Sequence, residues 1–381
     1  MIYFDNSATT KVLPEAAERA VQYMIQDFYN PSAAYSKAYS VEKDLNSART
    51  TIASSMKVNP DEIFFTSGAT ESNNIAVFGT LSSKKKVREI VTTQVEHPSV
   101  YETIKVAAAK TGAVIKYVPL MEDGTVNLKI LSETLSDNTD LISIMHVNNE
   151  LGSVNDLKSI REIINQYAPD AVFHSDGVQG YMKCPLNTMP CDLYSVSGHK
   201  IHAPKGVGFI YAKKGIKNSG GQIGGGQEKN FRSGTINTPA ILAMEIAVKA
   251  YIDNFQPWHD AMYRVKCRMA ANLSQIKDVV LNGPSVETGA PHILNESFLG
   301  VRGEVLLHAL EQEGILVSTG SACSSKKTEK NRILHAVGID GTRQEGAIRF
   351  SFSPFNTIEE VDYACEKIEN TVTFLRKYKR R

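Results

Sequence analysis

The sequence lacks a long apolar run: no stretch of its 381 residues approaches the ~18 apolar residues of a membrane span. Its first residues, Met-Ile-Tyr-Phe-Asp, lack the basic region and apolar stretch that are typical of a secretory signal. Cysteine is scarce, since the five thiols are odd in number, scattered and without a CxxC pair. This pattern favours reduced thiols over a disulfide framework or a structural zinc site. We therefore expect a cytoplasmic protein with no membrane partner and no metal.

Excess charge is also missing. The chain has 42 Lys and Arg residues against 41 Asp and Glu, which gives a net charge of +1. A balance this even argues against a general role in nucleic-acid binding, because such proteins carry a basic surface. The hydrophobic fraction of 42% is that of an ordinary globular chain, and the length allows a substantial core and two domains.

The pattern of apolar residues predicts an α/β fold. Strand-like runs at 63–65, 89–93, 114–118, 141–145, 171–173 and 207–211 alternate with helix-like stretches that include 71–81, 99–110 and 156–167. Such alternation is typical of a mostly parallel sheet flanked by helices, in which ligands bind beyond the carboxyl ends of the strands.

The pattern of predicted helices and strands changes after Pro257. A long amphipathic helix at 258–276 leads into shorter elements and a final helix at about 357–378. We predict a large domain at 15–256 and a smaller α+β domain made of 1–14 and 257–381.

Two short polar stretches each follow an apolar run. Residues 174–179 (His-Ser-Asp-Gly-Val-Gln) place an acid at Asp176, and residues 195–200 (Ser-Val-Ser-Gly-His-Lys) place an amine at Lys200. A pyridoxal phosphate enzyme needs such a pair at neighbouring strand ends, since the lysine holds the cofactor aldehyde and the acid keeps the pyridine nitrogen protonated.

Residues 66–72 (Thr-Ser-Gly-Ala-Thr-Glu-Ser) lie between a predicted strand and a predicted helix. Backbone N–H groups there, with the Thr70 hydroxyl, would suit a phosphate. An ordinary helix cap explains the same residue types and remains open, because the stretch has neither dinucleotide-binding glycines nor a P-loop lysine.

Three further sites carry open alternatives. His97, before a predicted helix, would cover a flat aromatic ring or shuttle a proton as a catalytic residue, and the alternative is an ordinary surface or satisfied histidine. Asn148, Asn149 and Glu150 form a polar cluster after a strand. Arg349 lies in an apolar run and needs an anion, which a substrate carboxylate or an internal Asp or Glu would supply equally well.

Cys323 lies in a small polar stretch, Ser-Thr-Gly-Ser-Ala-Cys-Ser-Ser, and is followed by Lys326, Lys327, Lys330 and Arg332. Nearby positive charge favours the reactive thiolate, although a solvated basic loop is the simpler alternative. The other four cysteines are interpreted as structural.

Taken together, these stretches resemble the cysteine desulfurases of the NifS/IscS type, class-V aminotransferases of the aspartate-aminotransferase-like pyridoxal phosphate superfamily. The resemblance covers essentially the whole chain, and its ordered motifs are specific. They are residues 3–10 (Tyr-Phe-Asp-Asn-Ser-Ala-Thr-Thr), 66–72, 96–97, 145–152, 176–179, 197–200, 224–227, 232–235, 320–323 and 348–351.

The resemblance implies a fold type I enzyme with a seven-stranded sheet, active as a homodimer, that converts L-cysteine to L-alanine. It assigns the Schiff base to Lys200, the pyridinium partner to Asp176, the ring hydroxyl to Gln179 and ring stacking to His97. Sulfur would pass to Cys323 as a persulfide, and then to an iron–sulfur scaffold or a tRNA-thiolation enzyme. It also assigns the remaining binding residues: Ala69, Thr70, Ser197, His199 and the partner's Thr235 to the cofactor, and Asn149 and Arg349 to the substrate carboxylate.

Two departures from the family pattern stand out. Gly177 replaces a common alanine, which predicts a looser turn after Asp176. Residues 29–35 (Tyr-Asn-Pro-Ser-Ala-Ala-Tyr) differ from the usual Gly-Asn-Pro-Ser-Ser-x-His, which leaves substrate access and partner choice open. A selenocysteine lyase or another lyase of the superfamily remains an alternative, as does a weakly active sulfur-delivery subunit.

Overall fold

The computed structural model describes residues 1–320 and 331–377. Cys323, Lys326, Lys327 and Lys330 lie outside this part of the chain. The strands are β1 (Ile2–Tyr3), β2 (Ile63–Thr66), β3 (Glu89–Thr92), β4 (Val114–Tyr117), β5 (Thr139–Ser143), β6 (Val172–Asp176), β7 (Leu193–Ser197), β8 (Gly208–Ala212), β9 (Val279–Leu281), β10 (Ile293–Phe298), β11 (Ile315–Leu316) and β12 (Ala347–Ser351).

The helices follow the predicted alternation and add several that were not singled out. They are α1 (Pro14–Ile25), α2 (Ser36–Ser55), α3 (Ala69–Asn74), α4 (Thr80–Ser82), α5 (Pro98–Thr111), α6 (Leu128–Thr134), α7 (Leu157–Tyr167), α8 (Thr238–Asp253), α9 (Phe255–Leu273), α10 (Gly303–Gln312), α11 (Arg332–Ala336), α12 (Gly341–Glu345) and α13 (Ile358–Lys377). A π-helical segment, Ile75–Gly79, joins α3 to α4.

Seven strands form the main sheet in the order β2-β8-β7-β6-β5-β3-β4. All neighbours pair in parallel except β8, which is antiparallel to both β2 and β7. Every residue of β6, β7 and β8 is buried, because helices cover both faces of the sheet. The predicted α/β class with a mostly parallel sheet is confirmed.

Local signals fix where the helices begin and end. His97 accepts a hydrogen bond from the Ser99 N–H ahead of α5, Pro98 occupies the first turn, and Gly112 ends the helix at φ +72°. The Asp156 carboxylate accepts from Lys158 and Ser159 N–H at the start of α7. These caps place the polar loops between strand and helix at the carboxyl edge of the sheet.

A second, smaller core lies apart from the large sheet. The antiparallel strands β9, β10 and β12 pack with α9, α10 and α13 around residues such as Phe298, Phe350 and Ile368. Phe4 belongs to the same core, and β1 pairs in parallel with β11. Within the described residues, no helix is both long enough and apolar enough to cross a membrane.

Candidate active site

Asp176 and Lys200 lie at the carboxyl ends of two adjacent parallel strands. Asp176 is the last residue of β6 and is in register with Ser195 of β7. Lys200 closes the short helical turn Gly198–Lys200 that directly follows β7. The two residues are 24 positions apart in the chain, and the parallel pairing of β6 and β7 brings them to one edge of the sheet.

The Asp176 carboxylate is buried and held by two donors. Asn73 Nδ2 donates to Oδ2 at 2.8 Å and the Val178 N–H donates to Oδ1 at 3.1 Å. Asn73 is fully buried and also donates to Ser99 Oγ at 2.8 Å. Asn73 is not among the predicted site residues, although it follows the predicted phosphate cradle at 66–72 by one position.

The Lys200 amine contacts the N-terminal segment. Its Nζ donates to the carbonyl oxygens of Ser7 at 2.5 Å and Ala8 at 2.6 Å. These partners are backbone atoms, so the identity of the side chains gave no signal for them. The contact nonetheless explains why the segment 3–10 belongs to the site.

His97 is exposed at the site, and its Nδ1 lies 2.7 Å from Ser99 Oγ. Partial withdrawal from solvent lowers the pKa of His97, and the charges of Lys200 and Arg332 lower it further, while Asp176 opposes them. His97 is therefore within electrostatic range of Asp176, Lys200 and Arg332. A neutral imidazole ring there is suited to stacking on a flat aromatic group.

A concave cradle lies between the start of α3 and the end of β7. Gly68 has φ +143°, and a Cβ built on it would lie 3.3 Å from Ser197 Oγ. Ala69 and the exposed Thr70 form the first turn of the helix that starts here. His199 Nδ1 lies 3.1 Å from Thr9 Oγ1, and burial lowers the pKa of His199 to about 4. Backbone N–H groups at a helix start, with neutral donors around them, suit a phosphate.

Thr235 lies on the outer side of this cradle. It is exposed and lines a cavity of about 130 Å³ together with Ser67 and Arg232. Arg232 pairs with Glu71, at 2.7 Å between Nε and Oε1, so its guanidinium already has an internal anion.

Arg349 contacts two carboxylates. Its Nη2 lies 2.7 Å from Asp5 Oδ1 and its Nη1 lies 3.2 Å from Glu150 Oε1. Burial raises the pKa of Glu150, and the Arg349 charge opposes this. The sequence left a substrate carboxylate and an internal acid equally open as partners, and in this structure internal acids take the position.

Asn148 and Asn149 have different surroundings. The Asn148 side chain is buried in a turn, where Oδ1 accepts from the N–H groups of Glu150 and Leu151 at 2.9 Å each. Asn149 Nδ2 donates to Glu150 Oε1 at 3.1 Å, while its buried Oδ1 has no hydrogen-bond partner among the described residues. Asn149 Nδ2 also carries a second hydrogen, so Asn149 is the one of the two that has a donor left for an anionic ligand.

Gly177 does not loosen its turn, contrary to the prediction. A Cβ at this position would lie 1.9 Å from Tyr194 Cζ, so the glycine makes room for a tightly packed ring. Tyr194 is fully buried, and its hydroxyl lies 2.8 Å from His146 Nδ1. The departure from alanine is thus matched by a bulky neighbour on β7.

The expected sulfur acceptor Cys323 lies outside the described residues, but Gly320 and Asn331, on either side of 321–330, lie close to each other, and Gly320 lies close to Glu150. A Cβ on Gly320 would lie 2.5 Å from both Asn331 Nδ2 and Glu150 Oε2. Residues on either side of 321–330 therefore meet beside the Arg349–Glu150 pair.

Comparison with known proteins identifies the family. The family model for class-V aminotransferases matches residues 2–364. The chain belongs to the class-V aminotransferase family.

Individual relatives of this family agree with the match. Cysteine desulfurase IscS of Escherichia coli is 37% identical over 383 residues, covering 98% of this chain and 93% of the relative. The structure described as a NifS-like protein superposes with a TM-score of 0.92 at 34% identity, covering 98% of this chain and 99% of that one. The structure described as SspA in complex with cysteine has a TM-score of 0.82 at 28% identity, with coverage of 94% and 100%.

The cofactor of this family is pyridoxal 5′-phosphate, and the residues present fit it. An amine and a buried acid lie at adjacent strand ends, and the cradle at Gly68 has no side chain where a phosphate would approach. The predicted fold class and cofactor are confirmed by the family.

Proposed function

We propose that this protein is a pyridoxal phosphate-dependent cysteine desulfurase, which converts L-cysteine to L-alanine and transfers the sulfur. The observation that carries this proposal is the pairing of Lys200 and Asp176 at adjacent strand ends in a chain similar to IscS over nearly its whole length. The similarity to a structure that holds cysteine supports the choice of substrate.

The cofactor would be held by side chains at the carboxyl edge of the main sheet. Lys200 would bind its aldehyde, Asp176 would pair with the pyridine nitrogen, His97 would stack on the ring and Gln179 would donate to the ring oxygen. When bound, pyridoxal phosphate withdraws electrons from the α-carbon of an amino acid. The phosphate contacts are assigned to Ala69, Thr70, Ser197, His199 and the partner's Thr235.

Asn149 and Arg349 bind the substrate carboxylate in this proposal. The Asp5 side chain is 21% exposed and that of Glu150 is 9% exposed, so Asp5 is the acid that solvent reaches more easily. We expect the substrate carboxylate to replace Asp5 at Arg349 Nη2, while Glu150 stays at Nη1. The hydrogen bond from the buried Arg349 guanidinium would then orient the amino acid.

Lys200 and Cys323 carry the two chemical roles of the chain itself. Lys200, once freed from the cofactor, takes the proton from the substrate α-carbon. The Cys323 thiolate attacks the substrate sulfur, so that an S–S bond forms as the C–S bond breaks. The β-carbon gains a proton, which yields alanine and a Cys323 persulfide with no external oxidant. Lys326 and Lys327 favour the thiolate form.

The protein acts as a homodimer and delivers sulfur to an acceptor protein, an iron–sulfur scaffold or a tRNA-thiolation enzyme, in the cytoplasm. Exposed apolar side chains on α1 and the following loop, at Val21, Met24, Ile25 and Phe28, support a partner surface. We further propose the domain division 15–256 against 1–14 and 257–381, which the position of Phe4 in the second core supports.

The test is an absorbance spectrum of the purified protein, followed by addition of L-cysteine and a thiol reductant with assays for alanine and sulfide. We expect a visible band of lysine-bound cofactor that responds to cysteine, with equal amounts of both products. The Cys323→Ala variant should keep the band and make no sulfide. Full turnover by this variant would refute the persulfide step, and turnover of selenocysteine alone would refute the substrate assignment.

A further inference from the structure

A buried polar cluster lies behind Gln179, and the site as proposed uses only one of its members. Lys183 is 2% exposed, Gln179 is 3% exposed and His292 is fully buried. Lys183 follows Gln179 by four positions, whereas His292 comes from the loop before β10 in the smaller core.

The two donors converge on one oxygen. Lys183 Nζ and His292 Nε2 each lie 3.1 Å from Gln179 Oε1. The Ser7 carbonyl oxygen can only accept, so the Gln179 atom that faces it is the amide nitrogen and the amide orientation is settled. Gln179 Nε2 then points away from the cluster, and it donates to the Ser7 carbonyl oxygen at 3.0 Å.

That carbonyl connects the cluster to the reacting amine. The Ser7 oxygen also accepts from Lys200 Nζ at 2.5 Å. A chain of contacts therefore runs from Lys183 through Gln179 and Ser7 to Lys200. An amide nitrogen carries two hydrogens, so Gln179 Nε2 has a second donor for a ligand on the Lys200 side.

Lys183 has no ion pair with a carboxylate anywhere in residues 1–320 and 331–377. Burial lowers the pKa of Lys183 to about 7, Lys200 lowers it further, and Cys184 opposes them. His292 stays neutral because burial, with Lys183 and other cations, holds its pKa well below the usual range. A buried ammonium without a contacting carboxylate is costly unless a ligand brings an anion.

We propose that Lys183 and His292 are positioning residues that fix Gln179 with its amide nitrogen toward the cofactor, and that Lys183 is the buried counter-charge for the anionic oxygen on the cofactor ring. This inference rests on the proposed function. The fixed amide would donate to the ring oxygen. The positive charge of Lys183 would make the nitrogen that joins Lys200 to the cofactor lose its proton more readily.

The test is a pH titration of the visible absorbance of the cofactor-loaded protein, with Lys183→Met as the variant. Removing a like charge makes the proton at Lys200 easier to retain. The titration midpoint should therefore rise by about one pH unit. The cofactor should also dissociate several-fold faster, because the amide is no longer held.

Lys266→Met is the matched control. Lys266 is equally buried at 2% exposed and donates to the Val286 and Ala290 carbonyl oxygens at 3.0 Å each, outside the cluster. We expect the Lys266 variant to keep the wild-type midpoint. Thermal unfolding of both variants compares the stability effects of losing a buried lysine.

A second variant, Lys183→Gln, keeps a donor but removes the charge, and it serves if the Met variant fails to fold. It should raise the midpoint as Met does while slowing cofactor loss relative to Met. Unchanged midpoints in the Lys183 variants, or an equal rise in Lys266→Met, would overturn this inference and leave the proposed function standing. A wild-type protein that shows no cofactor band would refute both this inference and the proposed function.

Discussion

The charged side chains on the two sides of the proposed site have different contacts. On the cofactor side, Asp176 accepts from the Asn73 amide and a backbone N–H, and Lys200 donates to two backbone carbonyls. On the substrate side, Arg349 contacts the carboxylates of Asp5 and Glu150. Asp176 thus contacts neutral polar groups, whereas Arg349 on the substrate side contacts two carboxylates.

We infer that the charge of Asp176 on the cofactor side is balanced only when the cofactor binds. The charges of the substrate side already balance one another in the folded protein. A carboxylate that contacts neutral dipoles, as Asp176 does, responds strongly when a cationic group of a ligand arrives. An arginine already paired with acids contributes to the folded state, and a ligand must displace one of them. We therefore expect substitutions on the cofactor side to affect chemistry first, and those on the substrate side to affect stability first.

The largest effect should come from Lys200→Met. Turnover should fall by at least about a thousandfold, since the substitution removes the group that we propose as both nucleophile and base. The unfolding temperature of the cofactor-free protein should stay close to wild type, because Lys200 is only half-buried. Steady-state kinetics and a thermal melt measure the two effects, and a large loss of stability would contradict the comparison.

Arg349→Met should lower stability strongly, unlike Lys200→Met, which should mainly lower turnover. It leaves Asp5 and Glu150 close together without their cation, which should lower the free energy of unfolding by roughly 3–5 kcal/mol. Denaturant unfolding of the cofactor-free protein measures this loss. The control is Arg268→Met. Arg268 pairs with Asp362 at 2.7 Å on the surface, so this variant should leave the unfolding midpoint unchanged. Equal midpoints for the two variants would refute the stabilising role of Arg349.

Gly177→Ala tests the packing beneath the cofactor side. The new Cβ would overlap the Tyr194 ring at 1.9 Å, so the backbone after Asp176 must shift. We expect a loss of about 1–3 kcal/mol in stability and weaker cofactor binding. Adding Tyr194→Leu, which removes the ring tip, should restore part of the cofactor affinity. A single variant with wild-type stability would show that the ring moves aside freely.

Glu96→Gln should show its effect only as a change in the pH dependence of stability. Burial raises the pKa of Glu96 from 4.5 to about 8, although hydrogen bonds from Met145 and Thr93 oppose it. The folded protein then holds this proton more tightly than the unfolded chain, so Glu96 lowers stability as the pH rises from about 4.5 to 8.

The Gln variant keeps an acceptor oxygen and does not titrate. Its unfolding midpoint should match wild type near pH 5 and exceed it near pH 8, as measured by denaturant titration at both values. The exposed Glu304, changed to Gln, is the control and should show no such divergence. Parallel pH profiles for wild type and Glu96→Gln would contradict the buried-acid interpretation.

The sequence predicts the parts of this molecule that depend on local order. Strand ends at Asp176 and Lys200, the α/β alternation and the helix caps follow from short stretches and their spacing. The partners of these residues do not, because Asn73, Ser7 and His292 lie 103 to 193 positions away from Asp176, Lys200 and Gln179. Gly177 shows the same limit, since its role depends on Tyr194 across the strand pair.

The contacts of residues 2–10 also set an order of assembly. Ser7 N–H donates to Ser351 Oγ, 344 positions later, and the Ser7 carbonyl accepts from Lys200. During synthesis the seven strands between 63 and 212 emerge from the ribosome well before Ser351 does. The main sheet is thus available to fold early, whereas the N-terminal segment reaches its final position only after nearly the whole chain has been made. A nascent chain halted before residue 351 would therefore display the lysine without the completed site around it.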